Sequence, residues 1–170
     1  YINLGESKQY EIPKIPSVSG RDPWYDLTSS AYIGDFIFPS KIGEKYRLID
    51  NRDSGVFCDK VNYIITVRKE YREFSDEIFL LLNSICFRYF IDLFSRQLTG
   101  NQTLSDVDVN LVQKTNVLRP ELFRENISNI KEVLDSIKGR EQGTIHEEIL
   151  KDDKFVIDSA ILAAIGLDEN

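Results

Sequence analysis

The sequence lacks methionine and contains only two cysteines, one histidine and one tryptophan among its 170 residues. A metal site or a disulfide framework needs several Cys and His side chains at short spacings, and Cys58, Cys86 and His146 do not provide them. We therefore expect two buried, reduced thiols in a reducing compartment, the cytoplasm. His146 stands in an acidic stretch, and we interpret it as a surface residue rather than the base of a catalytic triad.

Several catalytic motifs are missing as well. The phosphate-binding loops GxGxxG and GxxxxGK[ST], the zinc motif HExxH and a CxxC pair do not occur. Asp50, Asp53, Asp59 and Glu73 are candidate magnesium ligands of a nuclease, but the paired spacing across two strands is not there, so we interpret them as turn formers and solvated acids. On its own residues the chain is predicted to be a binding module, without a catalytic residue, cofactor or metal of its own.

Targeting and membrane signals are absent too. We find no signal peptide and no run of apolar residues that favours a membrane span, so we expect a soluble globular protein without a membrane partner. The chain begins at Tyr1 without an initiator methionine. Together with the lack of internal methionine, this start suggests a fragment of a longer protein.

The net charge of -7 argues at first against a nucleic-acid partner. The acidity is concentrated in residues 120–170, where 12 Asp and Glu stand against 6 Lys and Arg. Residues 1–73 carry 11 of each sign. This balanced first part can present a basic face if its acids lie on the opposite side.

The segment from Ser75 to Gly100 predicts one long, buried helix on which the other elements pack. Ser75 suits the N-cap, Gly100 can adopt the left-handed exit conformation, and apolar residues cover nearly every side between them. Arg88, Asp92 and Arg96 follow one another at steps of four, so their opposite charges can pair along one polar stripe.

The segments around this helix complete an α+β prediction. Residues 1–30 are read as an extended segment, and the alternating, β-branched pattern from residue 32 to residue 69 predicts antiparallel strands with a turn at "DNRDSG". "VDVNLV" and "TNVL" predict short returning strands. Helices are expected from Pro120, from Ile127 to Gly139, after a capping box of Thr144 and Glu147, and lastly near residues 153–165.

The predicted fold is thus a mixed, mainly antiparallel sheet packed on one long buried helix, with a helical C-terminal appendage. We expect residues 1–119 to form the sheet and the long helix, and residues 120–170 to form the appendage. No internal repeat or low-complexity run interrupts this organisation.

Basic and amide side chains near the predicted strand ends and in the loop after the long helix suit duplex DNA. Arginine and lysine neutralise phosphates, while arginine, asparagine and glutamine can make paired hydrogen bonds to base edges. Asn101 and Gln102 have a second interpretation, since their amides can also cap the end of the helix. The candidate DNA-binding residues are Lys41, Lys45, Arg47, Arg52, Lys60, Arg68, Lys69, Asn101 and Gln102.

Three stretches carry a resemblance. "DPWYDL" with "IGDFIFPSKIGEKYRLIDN", then "LLLNSICFRYFIDLFSRQLTGNQTLSDVDV", and finally "HEEILKDDKFVIDSAILAAIGLDEN" stand in this order. Together they resemble the C-terminal target-recognition domain of N6-adenine DNA methyltransferases and type IIG restriction-modification enzymes, the TaqI-like group. The tail keeps the acids Asp153 and Asp158 of that family, but Lys154 stands where arginine is usual. Asn101 and Gln102 also replace the second small residue of the family's loop.

The resemblance implies a non-catalytic specificity domain that follows a methyltransferase domain in one polypeptide. In that arrangement the upstream domain binds S-adenosylmethionine, with magnesium as a further cofactor where the parent enzyme also cleaves, and this domain holds and reads double-stranded DNA. Two alternatives stay open, a protein-binding scaffold and a fragment of a metal-dependent nuclease.

Overall fold

A computed structural model of the chain describes residues 2–26, 32–58, 61–98, 104–114 and 118–167. The chain forms two compact units, Tyr1–Tyr32 and Ile33–Asn170. The predicted boundary at residues 119 and 120 falls inside the second unit.

The first unit consists of short helical turns, where an extended segment was predicted. Helix α1 (Ile2–Gly5) is followed by a 3-10 helix at Ile12–Lys14. The indole N–H of Trp24 donates a hydrogen bond to Glu6 at 3.1 Å. The indole also lies so close to Gly5 that a Cβ there would come within 2.9 Å of it, so only glycine fits. Trp24 therefore anchors the turns of this unit.

Two small antiparallel sheets form the strand part of the second unit, which confirms the α+β class. The strands are β1 (Phe36–Pro39), β2 (Lys41–Ile42), β3 (Ile49–Asp50), β4 (Asn62–Ile65), β5 (Arg96–Leu98) and β6 (Leu104–Asp106). In the first sheet β1 lies between β3 and β4, and in the second β6 lies between β2 and β5. Ser40 joins the sheets, because its N–H donates to Val61 at 3.2 Å and its carbonyl accepts from Val107 at 2.8 Å.

The predicted single helix from Ser75 to Gly100 is two consecutive helices, α2 (Ser75–Leu82) and α3 (Ile85–Phe94). The break lies at Asn83 and Ser84. The Ser84 hydroxyl accepts a hydrogen bond from the Phe87 N–H at 2.9 Å and so caps the new helix. The chain leaves α3 before Arg96, which lies in β5 and not in a last helical turn.

Shorter helices follow the second sheet. "VDVNLV" follows the last strand and contains the start of helix α4 (Val109–Lys114), where a strand was predicted. Residues 115–117 of "TNVL" lie outside the described residues. The predicted start at Pro120 and the capping box of Thr144 and Glu147 are confirmed, while Ile127 lies before its helix. These helices are α4 (Val109–Lys114), α5 (Pro120–Asn126), α6 (Ile130–Gly139), α7 (Ile145–Glu148) and α8 (Asp152–Ala164).

One hydrophobic core joins the strands to the C-terminal helices. Phe36 of β1, Phe79 of α2, Phe123 of α5 and Ile157 of α8 belong to the same cluster, and each is at most 2% exposed. The helices after residue 119 thus cover the core of the sheet-bearing unit. Among the described residues, no helix combines the length and apolar character that a bilayer crossing requires.

Candidate functional site

The structure places six of the nine candidate DNA-binding residues, since Lys60, Asn101 and Gln102 lie outside the described residues. Five of the six are exposed: Lys41, Lys45, Arg47, Arg68 and Lys69. They do not form one cluster by hydrogen bonds or ion pairs in the described part of the chain. Each of the six placed candidates therefore has surroundings of its own.

Arg52 is engaged with acids of its own chain. Its guanidinium pairs with Asp50 at 2.6 Å and with Asp76 at 2.7 Å, and it lies 5.5 Å from the ring centre of Phe36. Burial raises the pKa of Asp50, but hydrogen bonds from Arg52 and Lys138 outweigh burial and hold that pKa at about 2. Arg52 thus fixes the turn after β3 to α2 and is not an open phosphate contact.

Lys41 lies in β2, and a second basic residue, Arg96, lies on the same sheet. The sequence did not indicate Arg96 as a DNA contact. In the second sheet Asp106 of β6 is the cross-strand partner of both Lys41 and Arg96. Cross-strand partners project from the same face of a sheet, so Lys41 and Arg96 flank Asp106 on one surface. The sequence had placed Arg96 on the helix stripe, and only the strand register brings it to Lys41.

Lys45 is brought to the C-terminal helices. An isolated β-bridge joins it to Thr144 just before α7, where the Ile145 N–H donates to the Glu44 carbonyl at 3.1 Å. Hydrogen bonds from Thr144 lower the pKa of Glu147, and the charges of Lys45 and Lys151 lower it further. Lys45 and Lys151 therefore both lie close to one exposed carboxylate.

A polar cavity of about 380 Å³ adjoins this pair of lysines. In its lining, Arg140 makes a two-point ion pair with Glu148 at 2.7 and 2.9 Å, and it also binds Asp153 at 2.8 Å. Burial raises the pKa of Glu148, but hydrogen bonds from Arg140 and from the Gly143 N–H, together with the charge of Lys154, outweigh burial. The pKa of Glu148 therefore lies below its ordinary value. The ion cluster ties α6, α7 and α8 together and gives Lys45 a rigid neighbourhood.

The remaining exposed candidates differ in their neighbours. Arg47 donates a hydrogen bond to the Lys138 carbonyl at 3.2 Å, close to the start of the loop after α6. Arg68 immediately precedes the 3-10 helix Lys69–Phe74, and both Arg68 and Lys69 are exposed. Arg68 also lines an apolar groove that the sequence gave no reason to expect.

The break between α2 and α3 is held by the C-terminal tail. The ammonium of Lys154, which is 2% exposed, donates to the carbonyl of Asn83 at 2.5 Å. The carboxylate of Asp158 accepts from the N–H groups of Ile85 and Cys86 at 3.3 and 3.0 Å. The "LNS" segment and the "DKxxxD" segment, about seventy residues apart in sequence, therefore bind each other directly.

Of the polar stripe predicted on the long helix, Arg88 is buried, Asp92 is half-buried and Arg96 is exposed in β5. Arg88, 6% exposed, donates to Asp92 at 2.8 Å and to the Gly43 carbonyl at 2.7 Å. Its second terminal nitrogen is buried without a partner in the described residues, next to a cavity of about 10 Å³. A cavity of that size has room for one water molecule.

No group of three or more His, Cys, Asp or Glu side chains suited to a metal ion occurs in the part of the chain that the structure describes. His146 is exposed, as predicted. Cys58 and Cys86 form no disulfide and are half-buried, where full burial was predicted. Burial and the charge of Asp158 raise the pKa of the Cys86 thiol to about 12, so this thiol stays protonated at neutral pH.

Comparison of the chain with protein-family models, with curated proteins and with solved structures found no significant match.

Proposed function

We propose that this chain is a non-catalytic, sequence-specific DNA-binding domain of a restriction-modification DNA methyltransferase. In this role it holds duplex DNA against an upstream domain of the same polypeptide, and that domain methylates an adenine. Binding of S-adenosylmethionine and the methyl transfer belong to the upstream domain, so the residues of this chain bind and position DNA only.

The observation that carries the proposal is the contact between two of the stretches with the family resemblance. Lys154 and Asp158 of the tail bind the backbone at Asn83, Ile85 and Cys86 of the central stretch. Side chains from one stretch thereby cap and pin the helix break formed by the other. Matching segments that are distant in sequence and joined in space support a shared architecture more strongly than either segment alone.

Lys41 and Lys45 are the proposed phosphate contacts. Both are exposed, both lie in the chain between β1 and β3, and neither forms an ion pair within 4.0 Å among the described residues. Lys41 and Arg96 are the cross-strand partners of Asp106, and Lys45 and Lys151 both lie near Glu147. The proposed contacts thus form two pairs of basic residues, and each pair adds local positive charge to an acidic chain.

The test is a fluorescence-anisotropy titration of a labelled duplex of randomised sequence at several salt concentrations. Replacing Lys41 and Lys45 together by glutamine is expected to weaken binding to all sequences alike and to reduce the salt slope by about 2, since each phosphate contact contributes about 0.9. The matched control is Lys131→Gln, which removes an exposed lysine from α6 and is expected to leave the slope unchanged.

Three results would each contradict a part of the proposal. Absence of binding at low salt would exclude DNA as the partner of this chain, and magnesium-dependent cleavage of the duplex would exclude the non-catalytic role. An equal effect of Lys131→Gln would show that binding follows total charge and not the proposed surface.

A protein-binding role is the second candidate, and the outer side of α3 favours it. Tyr89, Leu93 and Phe94 are 68%, 59% and 59% exposed and lie close together on this helix. Adjacent exposed apolar side chains of this kind are typical of interaction surfaces. If binding to the duplex fails in the titration above, this role becomes the first candidate.

A further inference from the structure

An open groove of about 360 Å³ lies between β4, α2 and the start of α5, away from the lysines proposed to bind DNA. Its volume falls in the range of ligand-binding pockets, about 300 to 1,000 Å³. The lining comes from β4, α2, α4, the first residue of α5 and Tyr71 of the 3-10 helix, and from residues 66–68 and 118–119, which lie outside the helices and strands.

The groove has an apolar interior. Ile65, Ile78 and Leu82 line it, and all three side chains are half-buried or buried. Val67, 6% exposed, closes it towards the core. Water in contact with such a surface is displaced favourably by an apolar ligand, at about 25 cal/mol for each Å² covered.

The exposed part of the lining is cationic. Arg68 and Arg119 both line the groove with exposed side chains. Tyr71, which is 39% exposed, lines it as well. Neither arginine forms an ion pair or a side-chain hydrogen bond with the described residues. An apolar cavity with two unpaired guanidinium groups is complementary to a molecule with an apolar body and an anionic head.

Four other arginines of the chain are paired with acids. Arg52, Arg88, Arg124 and Arg140 each form an ion pair of 2.5 to 2.8 Å with a carboxylate of the chain. In a protein with a net charge of -7, acids are plentiful, yet the described part of the chain places none against the two groove arginines.

We propose that this groove is a binding site for a small amphipathic organic anion, in which the apolar body fills the space between β4 and α2 and the anionic head is held by Arg68 and Arg119. A carboxylate, sulfonate or phosphate head satisfies the same guanidinium donors. The site goes beyond the DNA-binding role and does not depend on it, since the ligand is not a nucleic acid.

The test uses the whole chain and two fluorescent probes of similar shape, anionic anilinonaphthalene sulfonate and neutral N-phenylnaphthylamine. Saturable binding of the anion at one site is expected. Arg68→Gln and Arg119→Gln are each expected to weaken binding of the anion several-fold, because an exposed charge pair contributes up to about 1 kcal/mol. Binding of the neutral probe is expected to stay unchanged.

Two further variants keep the test specific. Arg72→Gln removes an exposed arginine of the same 3-10 helix that does not line the groove, and it is expected to have no effect on either probe. Thr66→Trp places a large ring at the lining and is expected to weaken both probes. Far-ultraviolet circular dichroism checks that each variant is folded.

Inorganic phosphate is expected not to displace the anionic probe, because it has no apolar body to fill the groove. Displacement by phosphate would overturn the proposal and indicate a simple anion site. Non-saturable binding, or equal losses for Arg72→Gln and Arg68→Gln, would overturn it as well, since both results describe general adsorption to exposed apolar or basic surface.

Discussion

At the residue scale, the neighbours of Asp50 in the fold give its carboxylate a different role from the one that the sequence suggests. In the sequence it is a candidate magnesium ligand or a turn former. In the fold its side chain accepts hydrogen bonds from Arg52, two residues away, and pairs with Lys138 of α6 at 2.5 Å. The turn after β3 is thereby fixed to a helix far along the chain, and no spacing rule in the sequence connects the two positions.

Asp50→Asn is expected to lower the free energy of unfolding at neutral pH and to change its dependence on acid. The folded-state pKa of Asp50, about 2, is below the unfolded value, so its contribution is fully present above about pH 4 and is lost as the pH falls towards 2. Urea unfolding across this range should show a smaller loss of stability on acidification for the variant than for the original chain. Asp53→Asn, an exposed acid of the same turn, is the control; an identical acid response in all three chains would refute this role for Asp50.

The break between α2 and α3 is the main difference at the element scale. The apolar pattern from Ile78 to Phe94 predicts one buried helix, and it gives no stop signal such as glycine or proline between them. Asn83 is 1% exposed, and its side-chain amide accepts from the Leu48 N–H at 3.3 Å and donates to Phe79 at 2.9 Å. The break therefore depends on partners outside the helix, which a periodicity argument does not include.

Ser84→Ala is expected to cost about 0.5 to 2 kcal/mol, the usual range for loss of an N-cap. Without its hydroxyl, the Phe87 N–H loses its partner inside the core. Urea unfolding with circular dichroism measures this difference, and Ser128→Ala at an exposed position is the control. A stability equal to that of the unchanged chain would mean that Ser84 is not a working cap and that the break is held by Lys154 and Asp158 alone.

At the scale of the whole molecule, the second unit is one compact body with a single hydrophobic core. Helices after residue 119 contribute Phe123, Ile137 and Ile157 to the same core as the strands, although a separate appendage was predicted from the sequence. The buried apolar residues of these helices share that core with the strands and with α2.

Ile157→Val in α8 is expected to destabilise this unit by about 0.5 to 1.5 kcal/mol. Because Ile157 is fully buried in the shared core, near-ultraviolet signals from Tyr46 and Tyr63 near the strands should shift to the same midpoint as the far-ultraviolet helical signal. Leu150→Val, at a side chain that is 80% exposed, should leave both midpoints unchanged. A shift of the helical signal alone would show that the C-terminal helices unfold as a separate appendage.

The sequence by itself determined the features that depend on neighbouring residues. The capping box of Thr144 and Glu147, the helix start at Pro120, the turn after Asp50 and the α+β class all follow from local propensity and hydrophobic period. Only the tertiary structure decided the helix break, the placement of Lys45 beside Lys151 and of Lys41 beside Arg96, and the groove with its two unpaired arginines. The physical reason is that these features are made by side chains brought together from distant elements, and a buried hydrogen bond or ion pair between them outweighs the local preference of either segment.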